Sequence, residues 1–495
     1  MEKLESVGGV DGGAGVDGGI RYESVVIVGS GVFGLTTALS LSLHNSQYSS
    51  KTKITVIDRH PFPAPDGSSI DSSRIVRADY KDPLYASLGL AAQARWRAGT
   101  GVWDGLGSDG RYMESGYVMV MDKEDAGIPG EEELWRGREY VWKSLDNMRE
   151  LLVREAGMDR DEVAKKVVRL NNEEEIRGVC GTNGGGSGVE GYVNWLSGWA
   201  DAEKAMRFVR KRCEERGDIE FLVGEVVSLV EMPSGEVKGV GLKDGRKVMG
   251  ELTVLAAGAW TTGLIDLEGR AVSTGQVMAY VKVTKEEEEQ WKCIPVMLNI
   301  TTGLFLLPPR NGICKVARHG IGYLNTQPVK LASGHKRSGP VHRSTPMTAH
   351  TTPSVSRIPA EDEVDLRRAL REMLPALGDR PFESTRICWY TDTPTADFIV
   401  DYIPGSKGLF LATGGSGHAF KFLPVLGDMI VDIMLGKDPG VWKNKWRWRK
   451  LLNTVEGVMT KDGSRAGSTQ LELQKLYEDE DKGISVRTSV EKSRE

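Results

Sequence analysis

The sequence predicts an α/β fold (α+β overall), and three observations carry that prediction. Ser24–Val28 (SVVIV) is a short unbroken apolar run, the pattern of a strand buried on both faces. Gly29-Ser30-Gly31-Val32-Phe33-Gly34 follows at once and opens Leu35–Leu43, a segment with helical periodicity. Lys53–Ile57 (KITVI) reads as the next parallel strand and ends at Asp58. Strand, glycine loop, helix and strand form one βαβ unit, the opening of a Rossmann-type domain.

The later elements suggest that this domain is discontinuous. Phe221–Leu229, Gly239–Leu242 and Leu252–Leu255 read as strands around a Ser-Gly turn and an Asp-Gly turn. Leu409–Thr413 is a further apolar strand, running into Gly414–Gly417 and then a helical pattern over Phe420–Leu435. Between these blocks the texture changes to amphipathic helices and strands such as Gln276–Val283, with a Gly-rich surface loop expected over Gly181–Gly191. The expected division is a nucleotide-binding domain from 21–100, 191–270 and 386–445. A substrate domain on a mixed β-sheet with helices is inserted as 101–190 and 271–385. Residues 1–20 are Gly-rich and poor in large apolar groups, so a disordered tail is expected. A charged C-terminal tail, a frayed helix and then disorder, is expected over 455–495.

Composition narrows the class. A chain of 495 residues is too long for one small core. Its net charge of −5 is small for that length and suggests no nucleic-acid or anionic-membrane partner. The five cysteines, at 180, 213, 293, 314 and 388, form no CxxC pair, which reads as free thiols in a reducing compartment. No run reaches the roughly 18 apolar residues of a membrane span. The N-terminus has no apolar signal core, and the last residues, KSRE, are no peroxisomal signal. A cytoplasmic monomer is expected.

The glycine loop is the first candidate site. Gly29 permits the tight turn, Gly31 lets backbone approach a pyrophosphate, and Gly34 lets the helix pack close on the strand. The helix start at Val32 and Phe33 offers unpaired N–H groups and partial positive charge. Asp58 stands where a ribose hydroxyl would donate to it and disfavours a 2′-phosphate. The motif does not separate NAD from FAD. Val254–Trp260, a strand with a small-residue turn at Gly258, and the second glycine loop before the last helix point towards FAD.

With these pieces in place, the chain resembles the flavin-dependent amine oxidases related to monomeric sarcosine oxidase, fructosyl amino acid oxidases and saccharopine or pipecolate oxidases. The resemblance covers roughly residues 22 to 445. It is carried by VIVGSGVFG (26–34), SSRIVRADY (72–80), RICWYTDTP (386–394) and GGSGHAFKFLP (414–424), with a looser match over Ile294–Gly320. It implies FAD held also by Arg59, Ser73, Arg74, Val226, Gly417 and Lys421, and bonded as a thioether to Cys388. It implies that Lys315 sits by the flavin and promotes reaction with oxygen, with Arg74 near the ring and His319 near the substrate. Arg77 and Lys421 would clamp a carboxylate and Tyr390 would line the same pocket, while Asp392 is expected to be structural.

The activity so implied is oxidation of a secondary amine to an imine, with O2 reduced to hydrogen peroxide. The partners are then a small-molecule amine and O2. No acidic residue occupies Phe305–Pro308, where fructosyl amino acid oxidases tend to carry one, which counts against a sugar adduct. The wording of the motifs leans towards the sarcosine or saccharopine-like branch, and a tailoring role in secondary metabolism is open. The alternatives are a flavin dehydrogenase with another electron acceptor, a non-catalytic flavin-binding protein and a nicotinamide-dependent imine reductase.

Overall fold

The computed structural model describes residues 21–46, 51–123, 131–331, 341–350, 357–449, 460–467 and 470–483. The expected N-terminal tail lies outside them. Two large sheets organise the chain. The first has six strands, in the order Ile399–Tyr402, Leu409–Thr413, Leu252–Leu255, Ser24–Val28, Lys53–Asp58 and Ile219–Val223. All neighbours are parallel except the edge pair Ile399–Tyr402 and Leu409–Thr413. Leu252–Leu255 and Leu409–Thr413 are buried throughout, as continuous apolar runs require in a sheet covered on both faces. Helix Val32–Asn45 packs against Leu423–Met434 and Ala202–Arg216 on that sheet. Ser24–Val28 has its sequence successor on one side and Leu252–Leu255 on the other. The strand order therefore reverses there, and a crevice opens at the carboxyl ends.

The strand expected over Phe221–Leu229 is two strands in two sheets. Ile219–Val223 pairs with Lys53–Asp58, while Val226–Glu231 joins a separate antiparallel sheet with Val237–Leu242 and Lys247–Met249. The break falls at Gly224, whose N–H donates to the Asp58 carbonyl at 2.8 Å. Apolar periodicity runs through such a corner without marking which partner each half will find. The stretch Gly181–Gly191, expected as a surface loop, is a loop over 181–189 with Gly181, Asn183 and Gly184 exposed, and it is pinned at its middle. Gly186 N–H donates to the Glu372 carbonyl at 2.5 Å, and Glu190–Asn194 is a strand.

The second sheet is mixed and has ten strands. Its centre is Val272–Lys282, flanked by Ile313–Arg318 and by Ser384–Asp392. Ser384–Asp392 pairs along its whole length, from Val272 opposite Asp392 to Tyr280 opposite Ser384. The boundary expected between 385 and 386 thus falls inside one strand of this sheet. Register sets the chemistry: Lys315 lies opposite Tyr280, and Cys388 opposite Gln276. Because side chains alternate in a strand, Cys388, Tyr390, Arg386, Tyr280 and Lys315 share one face.

The C-terminal region corrects the expectation of a detached tail. Ala466 bridges to Gly320, Leu471–Glu472 adds a strand beside Tyr323–Leu324, and helix Leu473–Asp481 buries Leu473, Leu476 and Tyr477. Its high charge hid three apolar anchors and one arginine that the core needs.

Candidate active site

The crevice at the carboxyl ends is a cavity of about 400 Å³. Gly29 has φ +106°, and a Cβ there would lie 2.5 Å from the Ala256 carbonyl oxygen. A Cβ on Gly34 would lie 1.8 Å from the Gly29 carbonyl oxygen, so helix and strand meet at this distance only without side chains. Gly31 is the N-cap of Val32–Asn45 and supplies no side-chain cap; the Val32 N–H is taken by Ser69 Oγ at 3.0 Å. Asp58 lines the cavity, and its Oδ2 accepts from Ser30 N–H (2.8 Å) and Oγ (2.7 Å), so the carboxylate also braces the loop. Arg59 stacks 3.7 Å over Trp260 and pairs with Asp66 at 2.5 Å.

Of the residues expected around a cofactor, Gly29, Gly31, Val32, Phe33, Asp58, Arg59, Arg74, Val226, Gly258 and Gly417 line this cavity. Tyr390, expected on the substrate side, also lines it. Gly34 lies beneath the loop. Ser73, Cys388, Lys315 and Lys421 stand behind the wall. Arg74 connects the two layers: it lines the cavity, and its Nη2 donates to Cys388 Sγ at 3.7 Å. Arg386 donates to the Ile70 and Gly67 carbonyls at 3.2 and 2.9 Å, close enough to Cys388 for the two to interact electrostatically.

Lys315 is buried, and its Nζ donates to Asp71 Oδ2 at 2.6 Å and to the Ser73 carbonyl at 3.0 Å. Arg74 Nη1 pairs with the same carboxylate oxygen, and the Tyr280 hydroxyl donates to the other at 2.9 Å. Burial lowers Lys315 to about 8, although Asp71 opposes the shift. Burial works against the Asp71 carboxylate, but Arg74 and Lys315 overcome it and hold the carboxyl far below its ordinary range.

A second cavity, of about 310 Å³, adjoins the first, and Ser416 and His418 line both. Arg77 and His319 line it. The Arg77 guanidinium lies 4.7 Å over Tyr80 and donates from Nη2 to the Tyr140 hydroxyl at 3.3 Å, while its buried Nη1 has no hydrogen-bond partner among the described residues. Lys421 Nζ is 5.4 Å over the same Tyr80 ring and donates to the His418 carbonyl at 3.0 Å. Burial, then the charges of Arg77 and Arg465, push Lys421 well below the usual lysine range. His418 donates from Nε2 to the Ala396 carbonyl (2.7 Å) and accepts at Nδ1 from Tyr80 (3.0 Å); burial, then Lys421, keep it neutral. His319 Nδ1 accepts from Arg465 Nη1 at 3.3 Å, and burial with Arg465 holds this ring neutral too. Asp392, expected as structural, is buried between Arg465 (2.7 Å) and Thr274 (2.5 Å).

Residues 24–433 match the family described as FAD dependent oxidoreductase. The chain belongs to that family. An amino acid oxidase of Aspergillus flavus is 33% identical over 465 residues, covering 84% of this chain and 94% of the relative. The L-saccharopine oxidase of Schizosaccharomyces pombe is 28% identical over 442 residues, covering 86% and 93%. Among solved structures, a thermally stable mutant of a fructosyl peptide oxidase superposes with a TM-score of 0.75 at 25% identity, over 92% of this chain and 98% of that one.

This FAD-dependent oxidoreductase therefore combines a glycine-cradled crevice that fits a dinucleotide with a buried cationic chamber beside it. Sequence reasoning missed Asp71 and Arg465. Asp71 stands one residue before the SSRIVRADY segment, and an acid beside a predicted pair of arginines was the signal available. Arg465 had no local signal, since it lies in a run of charged and small residues. No helix among the described residues is long and apolar enough to cross a membrane.

Proposed function

We propose that this oxidoreductase oxidises the secondary amine of an N-substituted amino acid to an imine and passes the electrons to O2, giving hydrogen peroxide. The observation that carries this reading is the pair Arg77 and Lys421, buried around one tyrosine ring beside the FAD crevice, with Arg77 Nη1 unpaired. An unpaired buried cation is costly, and a bound carboxylate relieves it with charge-assisted hydrogen bonds. Bound FAD would take the two electrons and the hydrogen from the carbon next to nitrogen and deliver them to oxygen. The amine docks as its free base, since its lone pair assists that loss. Two neutral histidines and a weakly basic Lys421 leave the chamber able to accept it in that form. Water then adds to the released imine.

Lys315 supplies a fixed positive charge on the far side of Arg74, where reduction of oxygen develops negative charge. Cys388 is the proposed tether, bonded through sulfur to the 8α-carbon of the flavin. Its Sγ lies behind the crevice wall against Arg74, which lines the crevice as does Tyr390 two residues on. A peroxide-coupled screen of the purified holoenzyme over N-methyl amino acids, pipecolate, saccharopine, glycated amino acids and carboxylate-free N-methyl amines tests the activity. Peroxide from the first three classes is expected. Turnover only on amines that lack a carboxylate would refute the clamp.

A further inference from the structure

We infer that the C-terminal segment Thr460–Gly467 is the specificity wall of the substrate chamber. Its Asp462 receives a hydrogen-bond donor, a hydroxyl or an amine, at the end of the substrate's side chain. The inference rests on the amino-acid reading above and extends it to the part of the substrate remote from the amine.

The segment is stitched across the chamber at both ends. Thr460 Oγ1 donates to the Thr393 carbonyl at 2.8 Å, and Lys461 N–H to the Pro394 carbonyl at 3.2 Å. At the other end Ala466 N–H donates to the His319 carbonyl at 3.3 Å, and Ile321 N–H returns a bond to the Ala466 carbonyl at 3.0 Å. Between them Arg465 plunges into the protein, its side chain 1% exposed. It holds Asp392 at 2.7 Å, the Ser416 carbonyl at 2.8 Å and the Gly320 carbonyl at 3.2 Å. Gly463 has φ +91°, and a Cβ there would lie 2.5 Å from the Arg136 carbonyl oxygen, so the turn is pressed onto the helix Glu131–Arg154.

That anchoring leaves Asp462 and Ser464 facing the chamber that also holds Arg77 and His319. Asp462 Oδ1 accepts from Ser464 N–H at 2.9 Å and from Ser464 Oγ at 2.6 Å, which fixes the carboxylate's orientation. Among the described residues, Oδ2 has no hydrogen-bond partner and Asp462 has no ion-pair partner. The other charged groups at the rim are committed elsewhere: Lys81 and Lys143 to Glu139, and Asp82 to Lys445. The chamber is therefore bipolar: the buried cation Arg77 and, among the described residues, one uncommitted carboxylate, Asp462, both line it. A substrate carrying a carboxylate on its α-carbon and a donor on its side chain matches both groups.

The test is anaerobic stopped-flow reduction of the holoenzyme's flavin, whose dependence on ligand concentration gives an apparent Kd, with two matched pairs. These are N-methyl-L-tyrosine against N-methyl-L-phenylalanine, and α-N-methyl-L-lysine against α-N-methyl-L-norleucine. The donor-bearing member is expected to bind at least about ten-fold more tightly in one pair, the size of one charge-assisted hydrogen bond. That preference is expected to fall within two-fold in Asp462→Leu. Asp462→Asn keeps the shape and the Ser464 contacts; it is expected to retain preference for the hydroxyl while losing preference for the amine. Equal preference in wild type and Asp462→Leu overturns the inference while leaving the amino-acid reading intact. Failure of all four compounds to bind overturns both.

Discussion

Replacing Asp71 with Asn removes the single negative charge between two buried cations. The carboxylate is 1% exposed and pairs with Arg74 and with Lys315. Removing one partner of a buried ion pair costs about 3–5 kcal/mol, because the remaining charge is left without compensation. Here the two survivors differ. Arg74 cannot shed its proton, whereas Lys315 sits at about 8 and can. Loss of that proton caps the penalty, so a destabilisation near the lower end, about 3 kcal/mol, is expected. Urea unfolding of holoenzyme would read it. The same proton decides the chemistry. Asp71 raises the lysine's affinity for its proton, so its loss moves the titration of Lys315 downwards. In wild type the oxygen half-reaction is expected to slow as pH rises through about 8; in Asp71→Asn the fall shifts to lower pH. Stopped-flow reoxidation of reduced enzyme across pH 6 to 9, on the order of the window set by that lysine, measures both profiles. The sign for the wild-type carboxylate is opposite. Because its folded value is depressed, its stabilisation is fully present above about pH 4, the unfolded value, and is lost as pH falls further. An Asp71→Asn enzyme with unchanged stability and an unshifted reoxidation profile would refute the whole account of this cluster.

Other outcomes follow from the same geometry. Acid precipitation of wild type should leave the yellow colour with the protein pellet, and Cys388→Ser should release it to the supernatant; retention in the variant would move the tether elsewhere. Lys421→Met should raise KM for carboxylate substrates roughly 10- to 100-fold, one charged hydrogen bond, with a much smaller effect on neutral amines. Because Lys421 is held well below the usual lysine range in the empty chamber, carboxylate binding near neutral pH should take up a proton. Calorimetry in two buffers of different ionisation enthalpy would show that uptake, and identical heats would count against it. Gly34→Ala puts a Cβ where only 1.8 Å separates it from the Gly29 carbonyl oxygen, so the variant should purify with little FAD; a full flavin complement would show that the helix can move aside.

How much of this was readable in advance depends on the range of the interaction. The loop from Gly29 to Gly34 could be read because each glycine answers a steric demand set within a few residues. Asp58 could be read because it ends the next strand of the same βαβ unit. Lys315 lies in the strand Ile313–Arg318, whose central residues are buried on both faces. Its partner could not be read, since Asp71 lies 244 positions away and the pair exists only after two segments fold together.

By itself, then, the sequence determined the βαβ start, the alternation of the strands and the cationic character of the motifs, all properties of neighbouring residues. Tertiary structure alone decided that Phe221–Leu229 divides between two sheets, that Asp71 sits between Arg74 and Lys315, and that a charged C-terminal segment drives Arg465 into the core. The reason is physical. A buried charge is tolerated only beside its counter-charge, and that neighbour is chosen by strand register and chain path across hundreds of residues, which no local pattern encodes.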